Sequence, residues 1–306
     1  MADYIQEKRD VRIGTHTVSL TSLSKPLWPQ KNITKARFLQ YLQDISPYFL
    51  PFLQYRLLTS IRYPHGVGDD FFYQKNCPDY APSYIQRHKD KDITYIVCSD
   101  LTSLIWLGNQ LTLEFHIPFQ TIHTSGPSEI VFDLDPPSRQ EFSLAIEAAL
   151  AIKEVLDRLN LYSFIKTSGN KGLQLYIPLP DHQFSYDDTR RFTQFIAHYL
   201  VNKEPNWFTV ERLKAKRGKK LYVDYVQHAA GKTIIAPYSP RGNKDALVAT
   251  PLFWKEVNSS LSPDPFSLEN IVQRVKSEGC PFEHFFAQKT KQPFQPVLRW
   301  LKEQNV

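Results

Sequence analysis

Apolar residues along this chain change period several times, and each change marks a predicted element. From 34 to 50, Phe38, Leu39, Leu42, Ile45 and Phe49 recur at spacings of three and four. One face of a helix repeats that way. An amphipathic helix is expected there, with Thr34 or Asn32 as its N-cap. Short apolar runs near 57–63, 94–97, 111–116 and 129–134 predict strands. Ser138 and Glu141 make a capping-box pattern that predicts a long helix to about residue 159. A hairpin is expected over 164–179, then a helix capped by Asp187 or Asp188 that runs to about 201. Strands follow at 208–211, 220–227 and 233–236. Ser267 opens a last helix that Gly279 closes. The fold class is α/β, with two packed, largely antiparallel sheets flanked by helices. No internal repeat or low-complexity segment interrupts it.

Some polar residues stand where this pattern calls for apolar ones. Asp133 and Asp135 lie in the run IVFDLDPP. Residues i and i+2 of a strand share a face, so both carboxylates project together. Neighbouring carboxylates disfavour each other's ionisation unless a cation joins them, and Mg²⁺ and Mn²⁺ take carboxylate oxygens together with substrate phosphates. A solvated strand end before a Pro-Pro turn is the alternative. In KTSGNKGLQLYIPL, Ser168, Gly169, Lys171 and Gly172 form a small-residue turn between two apolar runs. Glycines there let backbone N–H groups approach a phosphate, and Ser168 and Lys171 add donors. A hairpin turn that happens to carry a lysine would read the same. The P-loop pattern GxxxxGK[ST] is absent.

Asp224 sits inside the aromatic-rich run LYVDYV, with Gln227 three residues on and Arg241 closing the segment in a Pro/Gly turn. An acid in a strand needs a partner or a metal. Arg217 or Lys219 could supply a structural bridge instead. His116 interrupts the apolar stretch LIWLGNQLTLEFHIPF. It is either a binding residue or a satisfied core or edge histidine.

Composition narrows the class. The chain has 306 residues with 42% hydrophobic content and 22 prolines, enough for a large core. No run of eighteen apolar residues is present, so no membrane association is expected. The opening MADYIQEKRD carries charges but no apolar signal region. Three cysteines, Cys77, Cys98 and Cys280, form no CxxC pair. They suggest neither a zinc site nor a disulfide framework, and a reducing cytoplasm is expected. Net charge is +6 and the pI about 9.0. Distribution says more than the total. Lys214, Lys216, Arg217, Lys219 and Lys220 cluster just before the Asp224 strand, and Arg87, His88, Lys89 and Lys91 form a second basic group.

Taken in order, these pieces resemble the polymerase domain of bacterial ligase D, of the archaeo-eukaryotic primase superfamily. The resemblance begins at LTSLSKPLWPQKNITKARF and continues through LLTSIRYPHGVGDDFFYQKNCP, DLDPP, TSGNKGLQLYIPL, VDYVQHAAGKTIIAPYSPRG and ATPLFWKEV. It ends at DPFSLENIVQRVKSEGCPF, so it covers nearly the whole chain. It implies one primase-polymerase catalytic domain over 1–306, with an N-terminal subregion of about 1–100 contacting the DNA end. It implies template-directed addition of NTPs or dNTPs to DNA 3′ ends during gap filling in non-homologous end joining, with a preference for ribonucleotides. Asp133, Asp135 and Asp224 match three carboxylates of a two-ion Mn²⁺ or Mg²⁺ site. His116, Ser168, Lys171, Arg217, Gln227 and Arg241 match nucleotide-holding positions. Lys25 and Lys35 match lysines that hold a DNA 5′-phosphate, and Phe71 and Phe72 match aromatics that stack near template bases. The implied partners are broken or gapped DNA, a ligase domain in cis or in trans, and the end-binding Ku protein, in a bacterial, nucleoid-associated setting. One position departs from the pattern: KGLQ stands where the family usually has KGLH, so Gln174 replaces a histidine. A glutamine donates hydrogen bonds but cannot change charge near neutral pH. A metal-dependent nuclease or phosphodiesterase could use the same carboxylates, and a non-catalytic end-binding module would need only the lysines.

Overall fold

The computed structural model describes residues 7–304. Residues 1–6, the greater part of the decapeptide read for a signal sequence, lie outside the described residues, as do 305–306. The chain forms two compact units, each built from separated stretches. The first takes Met1–Ile117, Ile234–Ala249 and Asp264–Glu278; the second takes Pro118–Thr233, Thr250–Pro263 and Gly279–Val306.

In the first unit the predicted amphipathic helix runs over Lys35–Leu53. Thr34 caps it, its hydroxyl accepting from the Arg37 amide at 3.4 Å. The helix continues through Pro47 and Pro51, and it buries Phe38, Leu39, Leu42, Ile45 and Phe49. That face packs on the helices Leu101–Asn109 and Leu268–Glu278. The latter is the last predicted helix, ended by Gly279 at φ +85°, where an L side chain would be strained. A four-stranded sheet takes the order Thr233–Ile235, Thr112–Pro118, Thr59–Arg62, Phe72–Gln74.

The second unit is organised on a six-stranded sheet in the order Phe208–Thr209, Leu221–Asp224, Glu129–Asp135, Leu173–Pro178, Phe164–Thr167, Pro251–Leu252. Every pairing is antiparallel except that of Phe208–Thr209 with Leu221–Asp224. The strand Glu129–Asp135 has three strands on one side of it and two on the other. Its residues Ile130, Phe132 and Leu134 are wholly buried, each stabilising the fold by about 1.5–3 kcal/mol. The helices Phe142–Arg158 and Tyr186–Lys203 pack against this strand, and Phe132 meets Phe192 edge-on at 6.2 Å.

Several expected boundaries move. Ser138 does not cap a helix: its hydroxyl bonds the Glu141 carboxylate, and the helix starts only at Phe142. Ser185, not Asp187 or Asp188, caps the next helix, and Asp188 completes the capping box. The strand expected to 227 ends at Asp224. The hairpin Lys8–Ile13 with His16–Thr21, the helix Leu101–Asn109 and the helix Phe294–Glu303 have no counterpart in the sequence reading. Among the described residues no helix is long and apolar enough to cross a membrane.

Candidate active site

Strand register gathers the chemistry of the second unit into one row. Lys166 stands opposite Gln174, Gln174 opposite Asp133, and Asp133 opposite Asp224. Residues directly opposed across antiparallel strands share a face, so these four side chains lie side by side across four strands. The contacts follow the row. The Lys166 ammonium, wholly buried, donates to Gln174 Oε1 at 2.6 Å, and Gln174 Nε2 donates to Asp133 Oδ1 at 3.0 Å. Lysine offers only donors. It therefore takes the amide oxygen and leaves the amide N–H for the carboxylate. Gln174 thus has a defined task at the position where a histidine is usual. Burial, with the negative charges of Asp135 and Asp224 behind it, pushes the Asp133 carboxyl up to about 6, against the pull of Gln174 and Lys166.

Asp135, two residues along, pairs with Lys171 Nζ at 3.1 Å. Lys171 also donates to the carbonyls of Pro136 and Pro137, at 2.6 and 3.1 Å. The turn that carries Lys171 is held by Ser168, whose hydroxyl oxygen accepts from the amides of Gly172 and Asn170. It sits tight on the carboxylate strand: a Cβ at Gly172 would meet the Leu134 carbonyl oxygen at 2.3 Å. Asp224 accepts from the Tyr222 hydroxyl at 3.1 Å and the Gln227 amide at 2.9 Å. Gln227's own side chain closes its loop on the Thr233 carbonyl. Arg217 is not Asp224's partner. Its guanidinium lies 3.7 Å from the centre of the Tyr222 ring and donates to the Glu211 and Arg212 carbonyls. Beside Asp135 opens a cavity of about 200 Å³ lined by Lys171, Lys214, Arg217 and Lys220. Four cations face this hollow together with the Asp135 carboxylate, and they include three members of the basic cluster seen in the sequence.

The first unit holds a second constellation, centred on a residue that sequence reasoning missed. Glu114 is buried in the strand Thr112–Pro118. Its Oε2 meets His116 Nε2 and Arg241 Nη1, each at 3.0 Å. Its Oε1 accepts from the Tyr63 hydroxyl at 3.0 Å and the Gly242 amide at 2.9 Å. Burial alone would raise the Glu114 carboxyl. The His116 hydrogen bond, the Arg241 charge and the Gly242 amide overcome this and hold it at about 2. His116 and Arg241, far apart in sequence, thus meet on one carboxylate. The signal was available: Glu114 and His116 are two apart in a strand, hence on one face.

The same unit brings Lys25 and Lys35 together. The Lys35 amide donates to the Lys25 carbonyl at 2.8 Å. Lys35 is not a surface lysine: it is only 2% exposed, its ammonium donating to the Thr21 carbonyl at 2.7 Å. Burial, then the Lys25 charge, lowers its pKa to about 8. Lys25 donates to the Pro64 carbonyl. Phe71 and Phe72 are 52% and 44% exposed, unlike core aromatics. Phe71 stacks on Tyr63 at 5.3 Å, and the Arg62 guanidinium lies 5.3 Å from the Phe72 ring.

Among the described residues, no three His, Cys, Asp or Glu side chains gather closely enough to hold a metal ion as they stand. Asp133, Asp135 and Asp224 are each turned to a protein partner. Their donor chemistry nonetheless fits a hard divalent cation. Three carboxylates project from adjacent strands, and Asp133 carries the strain of two negative neighbours that a cation would relieve.

The family described as LigD, primase-polymerase domain, matches residues 34–282. The chain is 50% identical over 288 residues to the Bifunctional non-homologous end joining protein LigD of Bacillus subtilis, covering 94% of this chain and 47% of that protein. It is 33% identical over 247 residues to the Multifunctional non-homologous end joining protein LigD of Mycolicibacterium smegmatis, covering 78% of this chain and 32% of that one. The chain therefore spans half or less of the length of these curated relatives. Among solved structures, the polymerase domain from Mycobacterium tuberculosis ligase D in complex with DNA superposes with a TM-score of 0.82 at 30% identity, over 88% of this chain and 98% of that one.

Proposed function

The chain belongs to the LigD primase-polymerase domain family, and on that footing we propose that it adds NTPs or dNTPs to DNA 3′ ends, under template direction, during gap filling in non-homologous end joining. One observation carries the proposal most directly. In the second unit, the carboxylate row lies next to a cavity lined by four cations, the pairing of charges that phosphoryl transfer requires. DNA in the solved mycobacterial relative supports DNA as the substrate here. A ligase domain and the Ku protein are the proposed partners.

Each side chain then has a role. Asp133, Asp135 and Asp224 would hold Mn²⁺ or Mg²⁺. Two such ions, when bound, lower the pKa of the attacking 3′-hydroxyl and offset charge on the triphosphate and leaving pyrophosphate. Gln174 and Lys166 fix the rotamer of Asp133. Ser168 shapes the turn that presents Lys171. In the second unit Lys171 and Arg217 hold phosphate oxygens at the cavity; in the first unit His116 and Arg241 are the nucleotide-holding pair. Gln227 keeps its loop folded on Asp224. Phe71 and Phe72 offer flat faces to template bases, each stacked base being worth about 1–3 kcal/mol. The decisive experiment is extension of a 5′-phosphorylated gapped duplex with NTP or dNTP and Mn²⁺. Hydrolysis of DNA without nucleotide addition would instead identify a nuclease. DNA binding with neither activity would identify an end-binding module.

Lys25 and Lys35 would hold the 5′-phosphate at the far side of the gap, Lys35 turning its buried ammonium away from the Thr21 carbonyl to reach it. The protein should bind a gap carrying that phosphate more tightly than one carrying a hydroxyl. Lys25→Ala with Lys35→Ala should erase the difference and leave extension of a simple primer-template nearly unchanged. Lys35 adds a pH signature. Its pKa of about 8 leaves it cationic below that pH and neutral above it. The preference should be full at pH 7 and fade as pH rises through 8, well before an ordinary lysine near 10.5 loses its charge. A preference constant to pH 9.5, measured by fluorescence anisotropy, would remove Lys35 from the pocket.

A further inference from the structure

We infer that Glu114 is the positioning residue of the nucleotide-holding side chains in the first unit. It sets the aim of His116 and Arg241 while touching no substrate itself. This rests on the proposal above that those two residues hold the nucleotide.

The geometry points to positioning rather than to simple stabilisation. Glu114 is 5% exposed, and all four of its contacts are hydrogen-bonding groups of the protein: His116 and Arg241 on Oε2, the Tyr63 hydroxyl and the Gly242 amide on Oε1. A carboxylate has about four lone-pair sites, so these partners use its full capacity. The side chains of His116 and Arg241 are 16% and 24% exposed. Both retain a solvent-facing part with which to meet an anion. Arginine has five donors in a fixed fork, so anchoring Nη1 orients the rest. Without the anchor, the long arginine chain would be free to sample many rotamers, and ordering them again on binding costs affinity.

The anchor is itself held. The Arg241–Gly242 turn lies tight against Tyr63: a Cβ at position 242 would meet the Tyr63 ring and hydroxyl at 2.1 Å, so this approach needs glycine. Tyr63 is fixed at its other side by Phe71, stacked at 5.3 Å. Its phenol is pushed well above its ordinary pKa by burial and then by the Glu114 charge. It therefore stays a hydrogen-bond donor to Glu114. One buried carboxylate thus links the nucleotide-holding pair to the aromatic face proposed for the template.

The test measures NTP affinity with Mn²⁺ by titration calorimetry, 5′-phosphorylated DNA affinity by anisotropy, and steady-state extension, in Glu114→Gln and Glu114→Asp. Glutamine removes the charge and keeps the shape. Aspartate keeps the charge but draws the oxygens back by one methylene. Each variant that folds should bind NTP about tenfold or more weakly, the scale of a charge-assisted hydrogen bond. KM for NTP should rise more than kcat falls, and DNA affinity should hold. Glu114→Gln combined with Arg241→Ala should lose less than the sum of the two single losses, because part of the carboxylate's effect passes through the guanidinium and the rest through His116. Wild-type NTP affinity in either folded variant, or fully additive losses in the double variant, would overturn the inference. A loss of DNA affinity and thermal stability in parallel with NTP affinity would reduce Glu114 to a structural role. His116→Ala and Arg241→Ala report separately on the underlying proposal: if both bind NTP normally, the nucleotide assignment fails, whatever Glu114 does.

Discussion

Asp133→Ala, Asp135→Ala and Asp224→Ala are each expected to lower nucleotide addition on the order of a thousandfold, in a protein that still folds. A bound cation supplies several kcal/mol of charge stabilisation at a phosphoryl transition state, and each 1.36 kcal/mol is a factor of ten in rate. The three positions are not equivalent in the resting protein. Alanine at 135 leaves Lys171 its bonds to the Pro136 and Pro137 carbonyls, and alanine at 224 takes the acceptor from the Tyr222 hydroxyl and the Gln227 amide. Alanine at 133 removes a buried carboxyl crowded by two others but leaves Gln174 without its acceptor. These effects oppose each other, so the melting temperature should move by no more than about 2–4 °C, the equivalent of roughly 1 kcal/mol in a unit of this size. Mn²⁺ binding followed by calorimetry should weaken in all three. Any variant that extends a primer at a tenth of the wild-type rate or better takes its residue out of the catalytic set.

Lys171→Ala and Arg241→Ala should weaken NTP binding by about 1.5–3 kcal/mol each, the range for hydrogen bonds to charged groups, and leave DNA affinity nearly unchanged. Structure separates the two variants. Lys171 also pairs with Asp135 and clamps the Pro136 and Pro137 carbonyls. Its loss should loosen Asp135, one of the carboxylates proposed to hold the metal ions, so kcat should fall together with affinity. Arg241 contacts Glu114 instead, so its loss should act mainly on KM. A variant that binds NTP normally and loses DNA would show that its side chain serves the other substrate.

What was legible in the sequence was whatever repeats locally. Period two put Asp133 and Asp135 on one face, and the three-and-four spacing located the helix Lys35–Leu53. The helix Leu101–Asn109 was hidden for the opposite reason: its residues from Thr102 to Asn109 are all buried, so it has no polar stripe to mark a period. The hairpin Lys8–Ile13 with His16–Thr21 is mostly exposed, and its apolar alternation is only two residues long in each strand, Val11 with Ile13 and Val18 with Leu20, too short to stand out among polar neighbours. Register was beyond reach. Gln174 could be recognised as a departure, but its supporting Lys166 is assigned only by the pairing of two strands. The spacing of Glu114 to His116 was legible, but its other partners, Tyr63, Arg241 and Gly242, approach from distant parts of the chain and were not. The buried state of Lys35 likewise depends on Thr21 and not on its neighbours in the helix.

The interleaving of the two units has a consequence for synthesis. Ribosomes deliver residues in order, at about 5–20 per second. Between Ile117 and Ile234 the nascent chain consists wholly of second-unit residues, Pro118–Thr233. For about 6–25 s at that pace, Glu114 exists without Arg241, its carboxylate lacking a partner not yet made. The strand Thr112–Pro118 meanwhile lacks its neighbour Thr233–Ile235 and presents an open edge, a surface prone to mispairing. A chaperone that shields exposed strand edges should therefore raise the yield of this chain more when translation is fast, and slow codons placed just after residue 249 should do little to replace it.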